Sequence, residues 1–152
     1  MMKHTFFILA AMLCLFSCQE SIDGDQGDTI KLSTDKLFSS AEGGEFEVTT
    51  QGKCWKIYHT ISVDSESYGM GWDSLSNNYY WIYNDIAFPI EMDDRYHYIV
   101  KMEGPWFTVQ RITDQKIIFS TLPNETGKIR TLMLFLVDMG FGTSITLTQS
   151  AD

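Results

Sequence analysis

The chain has 152 residues, enough for one domain with a core of its own, and carries 11 Lys+Arg against 20 Asp+Glu for a formal net charge of −9. So acidic a balance argues against nucleic acid as a partner and against charge-driven adhesion to anionic surfaces. It suits a soluble domain at a crowded surface.

In chain order, the first segment reads as processing rather than structure. Lys3 and His4 form a short polar start, and Thr5 to Ser17 (TFFILAAMLCLFS) is an apolar run of 13 residues. That length matches the apolar region of a secretory signal and falls short of the roughly 20 residues that a spanning helix needs. The run ends in Leu15-Phe16-Ser17-Cys18, which resembles the bacterial lipobox. Residues 1–17 are therefore expected to be removed and Cys18 to carry lipid. Two or more acyl chains, at roughly 0.8 kcal/mol per buried methylene, make an anchored protein and not a spanning one. Lys3 leaves with the signal, so the formal −9 becomes −10. Cys14 leaves too and Cys18 is acylated, so Cys54 stands alone and the fold must rest on its core without an internal disulfide.

Residues 18–28 follow as the lipidated cysteine and an acidic tether, QESIDGDQGD after Cys18, whose single Ile22 offers too little apolar surface to offset the entropy of ordering. Residues 29–152 then read as one domain of short strands. Thr29 to Ser33 alternates, Ala41-Glu42-Gly43-Gly44 makes a turn, and Glu45 to Thr50 puts Phe46 and Val48 on one side. Lys53 to Val63 sets Trp55, Ile57, His59 and Ile61 against Cys54, Lys56, Tyr58, Thr60 and Ser62. His97 to Met102, Trp106 to Ile112, Lys116 to Thr121, Ile129 to Val137 and Thr143 to Gln149 complete the series. Turns are expected at Gly104-Pro105, Pro123-Asn124 and Gly140-Phe141-Gly142. No window has a capped 3.6-residue period, so the fold class is all-β, an antiparallel immunoglobulin-like β-sandwich with an aromatic-rich expansion between its early and late strands.

Ile129 to Val137 is apolar on both faces, with Met133, Phe135 and Val137 on one and Leu132, Leu134 and Leu136 on the other. Only one face of a sandwich strand meets the core. The second calls for cover from another part of the chain or from a partner.

Two blocks resemble the BACON-like domains, Bacteroidetes-associated modules of extracellular polysaccharide-handling proteins. The first runs from Leu37-Phe38 through Ala41-Glu42-Gly43-Gly44-Glu45-Phe46-Glu47-Val48 to Trp55. The second runs from Trp106 through Asn124-Glu125-Thr126-Gly127 and Arg130-Thr131 to Ile145-Thr146-Leu147-Thr148-Gln149. The resemblance covers about half of the domain and implies a non-catalytic binding or spacer module with a glycan ligand. The acidic residues after Cys18 also resemble the surface-export signal of lipoproteins in Bacteroidetes, which implies an outer-membrane, outward-facing location. Gln51-Gly52 stands where an asparagine is common in that family, and Asp64 to Gly104 expands the usual compact module.

From Tyr68 to Trp106 lie ten of the 21 aromatic residues. On a strand, Tyr79, Trp81 and Tyr83 share one face, a row of rings able to stack on the C–H face of a pyranose while Asn77, Asn78, Asn84 and Asp85 meet its hydroxyls. The same rings would also suit the core, covering the spare face of residues 129–137, and an aromatic cluster is more often core than ligand site. A protein partner docking on an apolar sheet face, with Leu132, Leu134 and Leu136 exposed, is the alternative. Cys54 and His59 fall on opposite strand faces and make no nucleophile–base pair, and Glu91-Met92-Asp93-Asp94 with His97 fits no zinc or calcium spacing. No cofactor, metal or catalytic residue is expected.

Overall fold

The structure is a computed structural model and describes residues 30–51, 55–95, 97–138 and 140–152. Cys18, the signal, the tether and Cys54 lie outside the described residues. The described chain is all-β, with thirteen strands in order: β1 (Lys31–Leu32), β2 (Lys36–Ser39), β3 (Gly44–Gln51), β4 (Lys56–Val63), β5 (Glu66–Gly69), β6 (Gly71–Asp73), β7 (Asn78–Tyr83), β8 (Ile86–Met92), β9 (Ile99–Glu103), β10 (Phe107–Thr113), β11 (Lys116–Thr121), β12 (Arg130–Asp138) and β13 (Phe141–Gln149). They form an eight-stranded sheet, β1-β3-β11-β10-β9-β8-β7-β6, and a five-stranded sheet, β2-β13-β12-β4-β5. Each neighbouring pair is antiparallel except β13 with β2, which is parallel and adds a departure from the all-antiparallel expectation.

Two short segments pass between the sheets. β1 belongs to the larger sheet and β2, four residues on, to the smaller; β5 and β6, separated by Met70 alone, make the reverse change. Met70 N–H donates to the His59 carbonyl at 2.9 Å as the chain crosses. These crossings close the flanks of the sandwich, where unpaired strand edges would otherwise template aggregation.

Alternation decides what enters the core. On β12, Leu132, Leu134 and Leu136 are fully buried, each contributing about 1.5–3 kcal/mol of hydrophobic stabilisation. They meet Ile145 and Leu147 of β13 and Ile57, Ile61 and Val63 of β4 in one cluster with Val48, Val109, Ile117 and Phe119 of the opposing sheet. The assembly alternative required those three leucines to be exposed, and their burial overturns it in that form. The turn at residues 140–142 is also tighter than expected, since Phe141 and Gly142 already pair with Asp138 and Val137.

His59 departs from the expected alternation for a local reason. Leu134 pairs with Ile61 and Leu136 with Ile57, so three residues of β4 bulge opposite Phe135 alone. The bulge lets Ile57 and Ile61 both stay inside while His59, between them, is exposed.

Several of the residues that carry the resemblance meet at one end of the sandwich as a polar lock. Asn124 Nδ2 donates to the carbonyls of Lys128 (2.7 Å) and Ser150 (2.8 Å), and its Oδ1 accepts from the Thr126 hydroxyl (2.6 Å) and amide (3.2 Å). Gln149 Nε2 donates to the carbonyls of Leu122 (2.8 Å), Ser40 (3.3 Å) and Ala41 (3.4 Å). Gly43 has φ +84°, and a Cβ there would stand 2.4 Å from the Thr121 carbonyl oxygen, so the turn needs glycine on two counts. Arg130 lies over the Trp106 ring at 5.7 Å. At the other end, buried Arg111 lies 4.2 Å from both the Trp55 and Tyr98 ring centroids and donates to Asp114 Oδ1 at 2.9 Å.

Candidate functional site

Tyr79, Trp81 and Tyr83 share one face of β7, as alternation requires, and that face points inward. Trp81 is 1% exposed. Its Nε1 donates to the Glu103 carbonyl at 2.6 Å, and its ring centroid lies 5.4–5.9 Å from those of Tyr68, Tyr83, Phe88 and Phe107. Tyr79 and Tyr83 are half-buried against the same cluster. Trp81, the centre of the expected stacking platform, is therefore a wall of the core, because a ring sealed on both sides has no face left for a ligand, while Tyr79 and Tyr83 stay only half-buried. Nor do these rings cover the spare face of β12; they pack toward Tyr68 on β5 and Phe107 on β10. The Tyr68 hydroxyl donates to Glu66 Oε2 at 2.8 Å, and this bond, with burial and the Glu66 charge, pushes the phenol up to about 12.

The four supporting polar residues serve the backbone. Asn84 (φ +49°) and Asp85 (φ +61°) are the two central residues of the β7–β8 hairpin turn, whose twist matches that of its strands. Asn77 (φ +56°) ends the β6–β7 turn, with its Oδ1 accepting from Trp72 Nε1 at 3.3 Å. Asn78 opens β7 opposite Asp73. Only Asn78 shares a hollow with one of the three rings, that of Tyr79. Of the acidic run, Glu91 lies 3.4 Å from Lys101, Asp93 Oδ1 accepts from the Arg95 amide at 2.9 Å, and His97 is exposed.

The opposite face of β7 looks outward. Tyr80 lies across Gly71, where a Cβ would be 2.9 Å from the ring, and Ile82 pairs with Ala87 of β8. A hollow of about 580 Å³ sits beside them, lined by Asp73, Ser76, Asn78, Tyr79, Tyr80 and Glu91, among others, so of the expected stacking rings Tyr79 borders it.

A second hollow lies on the outer face of the five-stranded sheet, and its chemistry differs. It encloses about 470 Å³ and is lined by Tyr58, Thr60, Ser67, Phe135, Val137 and Ser144, among others. The β4 bulge places Tyr58 there, 38% exposed, and the half-buried Phe135 supplies a second ring. Pairing puts Ser62, Thr146 and Thr148 on the same outer side, flanking the apolar ridge of Met133, Phe135 and Val137. The strands of this sheet present no Asp or Glu on that side; the charged residues there are Lys36 and Lys56. On the outer side of the larger sheet, by contrast, Lys116 pairs with Glu47 at 2.9 Å and Lys101 with Glu103 at 2.7 Å. Strands that turn no carboxylate outward stand out in a chain of net charge −9.

Sequence reasoning found one signal for this face, the strand apolar on both sides. Tyr58 and the hydroxyls had no signal, because the bulge that gathers them depends on how β4 pairs with β12.

No family model matches the chain, and no curated protein matches it. Among solved structures it is similar to the NMR structure of a protein from Bacteroides thetaiotaomicron, with a TM-score of 0.55 and 17% identity over 90% of this chain and 98% of that one. A second similarity is to a chain of a Bacteroides ovatus GH5 xyloglucanase in complex with a XXXG heptasaccharide, with a TM-score of 0.42 and 16% identity over 82% of this chain and 19% of that one. The first of these likenesses establishes the fold alone.

Proposed function

We propose that this chain is an outer-membrane, outward-facing lipoprotein whose BACON-like sandwich is a non-catalytic binding or spacer module, taking a glycan on the outer face of its five-stranded sheet. The observation that carries this reading is the hollow of Tyr58 and Phe135 among Thr60, Ser67 and Ser144, whose lining contains no carboxylate. Sugars offer apolar C–H faces to rings and hydroxyls to short polar side chains, and such mixed linings fix orientation without needing charge. The anchor half of the reading rests on the apolar leader ending at Leu15-Phe16-Ser17-Cys18.

Each half has its own test. Against a panel of soluble oligosaccharides, Tyr58→Ala is expected to weaken binding at least tenfold, a loss of about 1.4 kcal/mol, while the melting temperature stays near that of the parent. If the panel binds nothing, or binds the variant and the parent alike, the glycan reading fails. For the anchor, Cys18→Ala is expected to abolish incorporation of radiolabelled palmitate and release the chain from the membrane fraction. Undiminished labelling of the variant would move the lipid elsewhere or remove it.

A further inference from the structure

The turn between β6 and β7 carries two apolar side chains that the fold does not use. Leu75 is 97% exposed and Trp72 is 56% exposed. Their support is nevertheless well ordered by hydrogen bonds. Asp73 accepts from the Leu75 amide (2.9 Å) and the Ser76 hydroxyl (2.6 Å), and Asn77 accepts from the Trp72 indole (3.3 Å). The two bonds to Asp73 hold its carboxyl below the usual carboxylate range, so it is ionised at neutral pH. An exposed tryptophan and leucine on a stiff turn have the character of a binding anchor, since little freedom is lost when they are immobilised.

We propose that this turn docks into the hollow on the outer face of the five-stranded sheet of a second copy of the chain. Apolar character and charge both favour that occupant. The hollow offers the Phe135 and Tyr58 rings and Val137 to the apolar tip. Lys56 pairs with Val137 on that margin, and no carboxylate of the face opposes the incoming Asp73. A chain cannot fill its own hollow in this way. Ser67 of the hollow is on β5, and the chain then crosses at Met70 to the other sheet before reaching the tip.

Tip and hollow are different surfaces, so the contact is heterologous. Repeated from copy to copy, such a contact closes into a ring or propagates head to tail. One turn in one hollow is a small contact of the weak, transient kind. Confinement of anchored copies to a membrane, which rests on the anchor proposed above, raises their effective concentration and favours it. The hollow is the one assigned above to a glycan, and the inference uses its geometry without depending on that ligand. Variants of the tip separate the two.

The test uses the full acylated chain in lipid bilayers. Copies carrying Leu75→Cys are mixed with copies carrying Ser144→Cys under mild oxidation, with Ser120→Cys on the larger sheet as the comparison. A disulfide-linked pair is expected with Ser144→Cys, at least tenfold more than with Ser120→Cys. Trp72→Ala in the Leu75→Cys copy, or Lys56→Glu in the Ser144→Cys copy, should reduce it severalfold. Trp72 and Leu75 lie outside the core, so an unchanged far-ultraviolet circular dichroism spectrum and a melting temperature near the parent's are expected and confirm folding. Equal linkage at positions 144 and 120, or linkage indifferent to Trp72→Ala, overturns the proposal. Glycan binding should survive Leu75→Asp, so loss of self-association with retained glycan binding leaves the functional reading standing. The reverse outcome removes that reading alone.

Discussion

Replacing Trp81 by alanine should cost about 3–5 kcal/mol and lower the melting temperature by roughly 10–20 °C. Trp81 is 1% exposed and sits where β7, β5 and β10 meet through Tyr68 and Phe107, so its removal leaves a cavity that three strands would have to move to fill. The indole also donates to the Glu103 carbonyl at 2.6 Å, and alanine leaves that acceptor without its partner. Trp81→Phe should recover most of the packing and lose only the hydrogen bond, about 1–3 kcal/mol. Thermal and urea unfolding of the two variants measure the difference. A Trp81→Ala protein with the parent's melting temperature would mean that the ring does not hold the sheets together. Because the ring is sealed inside, neither change should alter the oligosaccharide signal of the molecules that remain folded.

The behaviour of β7 illustrates what a period-2 pattern conveys. Tyr79, Trp81 and Tyr83 on one side and Tyr80 and Ile82 on the other follow from spacing alone, as does the pairing of Phe46 with Val48 on β3. Which side faces the core does not follow, because aromatic residues suit both an interior and a sugar platform. Hydrophobic content could not decide it. The deciding contacts, Tyr68 on β5 and Phe107 on β10, come from distant parts of the chain. β12 shows the same limit, with leucines on one side and Met133, Phe135 and Val137 on the other, so that only the sheet order reveals the leucines as core. Lys36–Ser39 was missed as a strand because four residues with one exposed phenylalanine carry little pattern, and its parallel partner β13 is more than 100 residues away. The bulge that makes the Tyr58 hollow is a property of register, which no single strand encodes.

Asn124 should be the most demanding polar position. It is 1% exposed, and its amide is satisfied at both ends, which in a buried site makes it costly to disturb. Asn124→Ala leaves the Ser150 carbonyl without its Nδ2 donor and the Lys128 carbonyl with only the Thr126 hydroxyl at 3.4 Å, and is expected to destabilise the domain by about 2–4 kcal/mol. Asn124→Asp is nearly the same shape yet should be worse at neutral pH, because a carboxylate would face those two carbonyl oxygens where the amide donated to them. Burial and those dipoles would raise the folded-state pKa of the introduced acid above its unfolded value. A raised folded pKa means that the folded state binds the extra proton first, so the variant's deficit relative to the parent is greatest above that pKa and shrinks as pH falls. Urea unfolding of parent, Asn124→Ala and Asn124→Asp at pH 7.5 and 4.5 reads this directly. An aspartate variant whose deficit is unchanged or larger at the lower pH would show that the amide's donated bonds are not what holds the end of the sandwich closed.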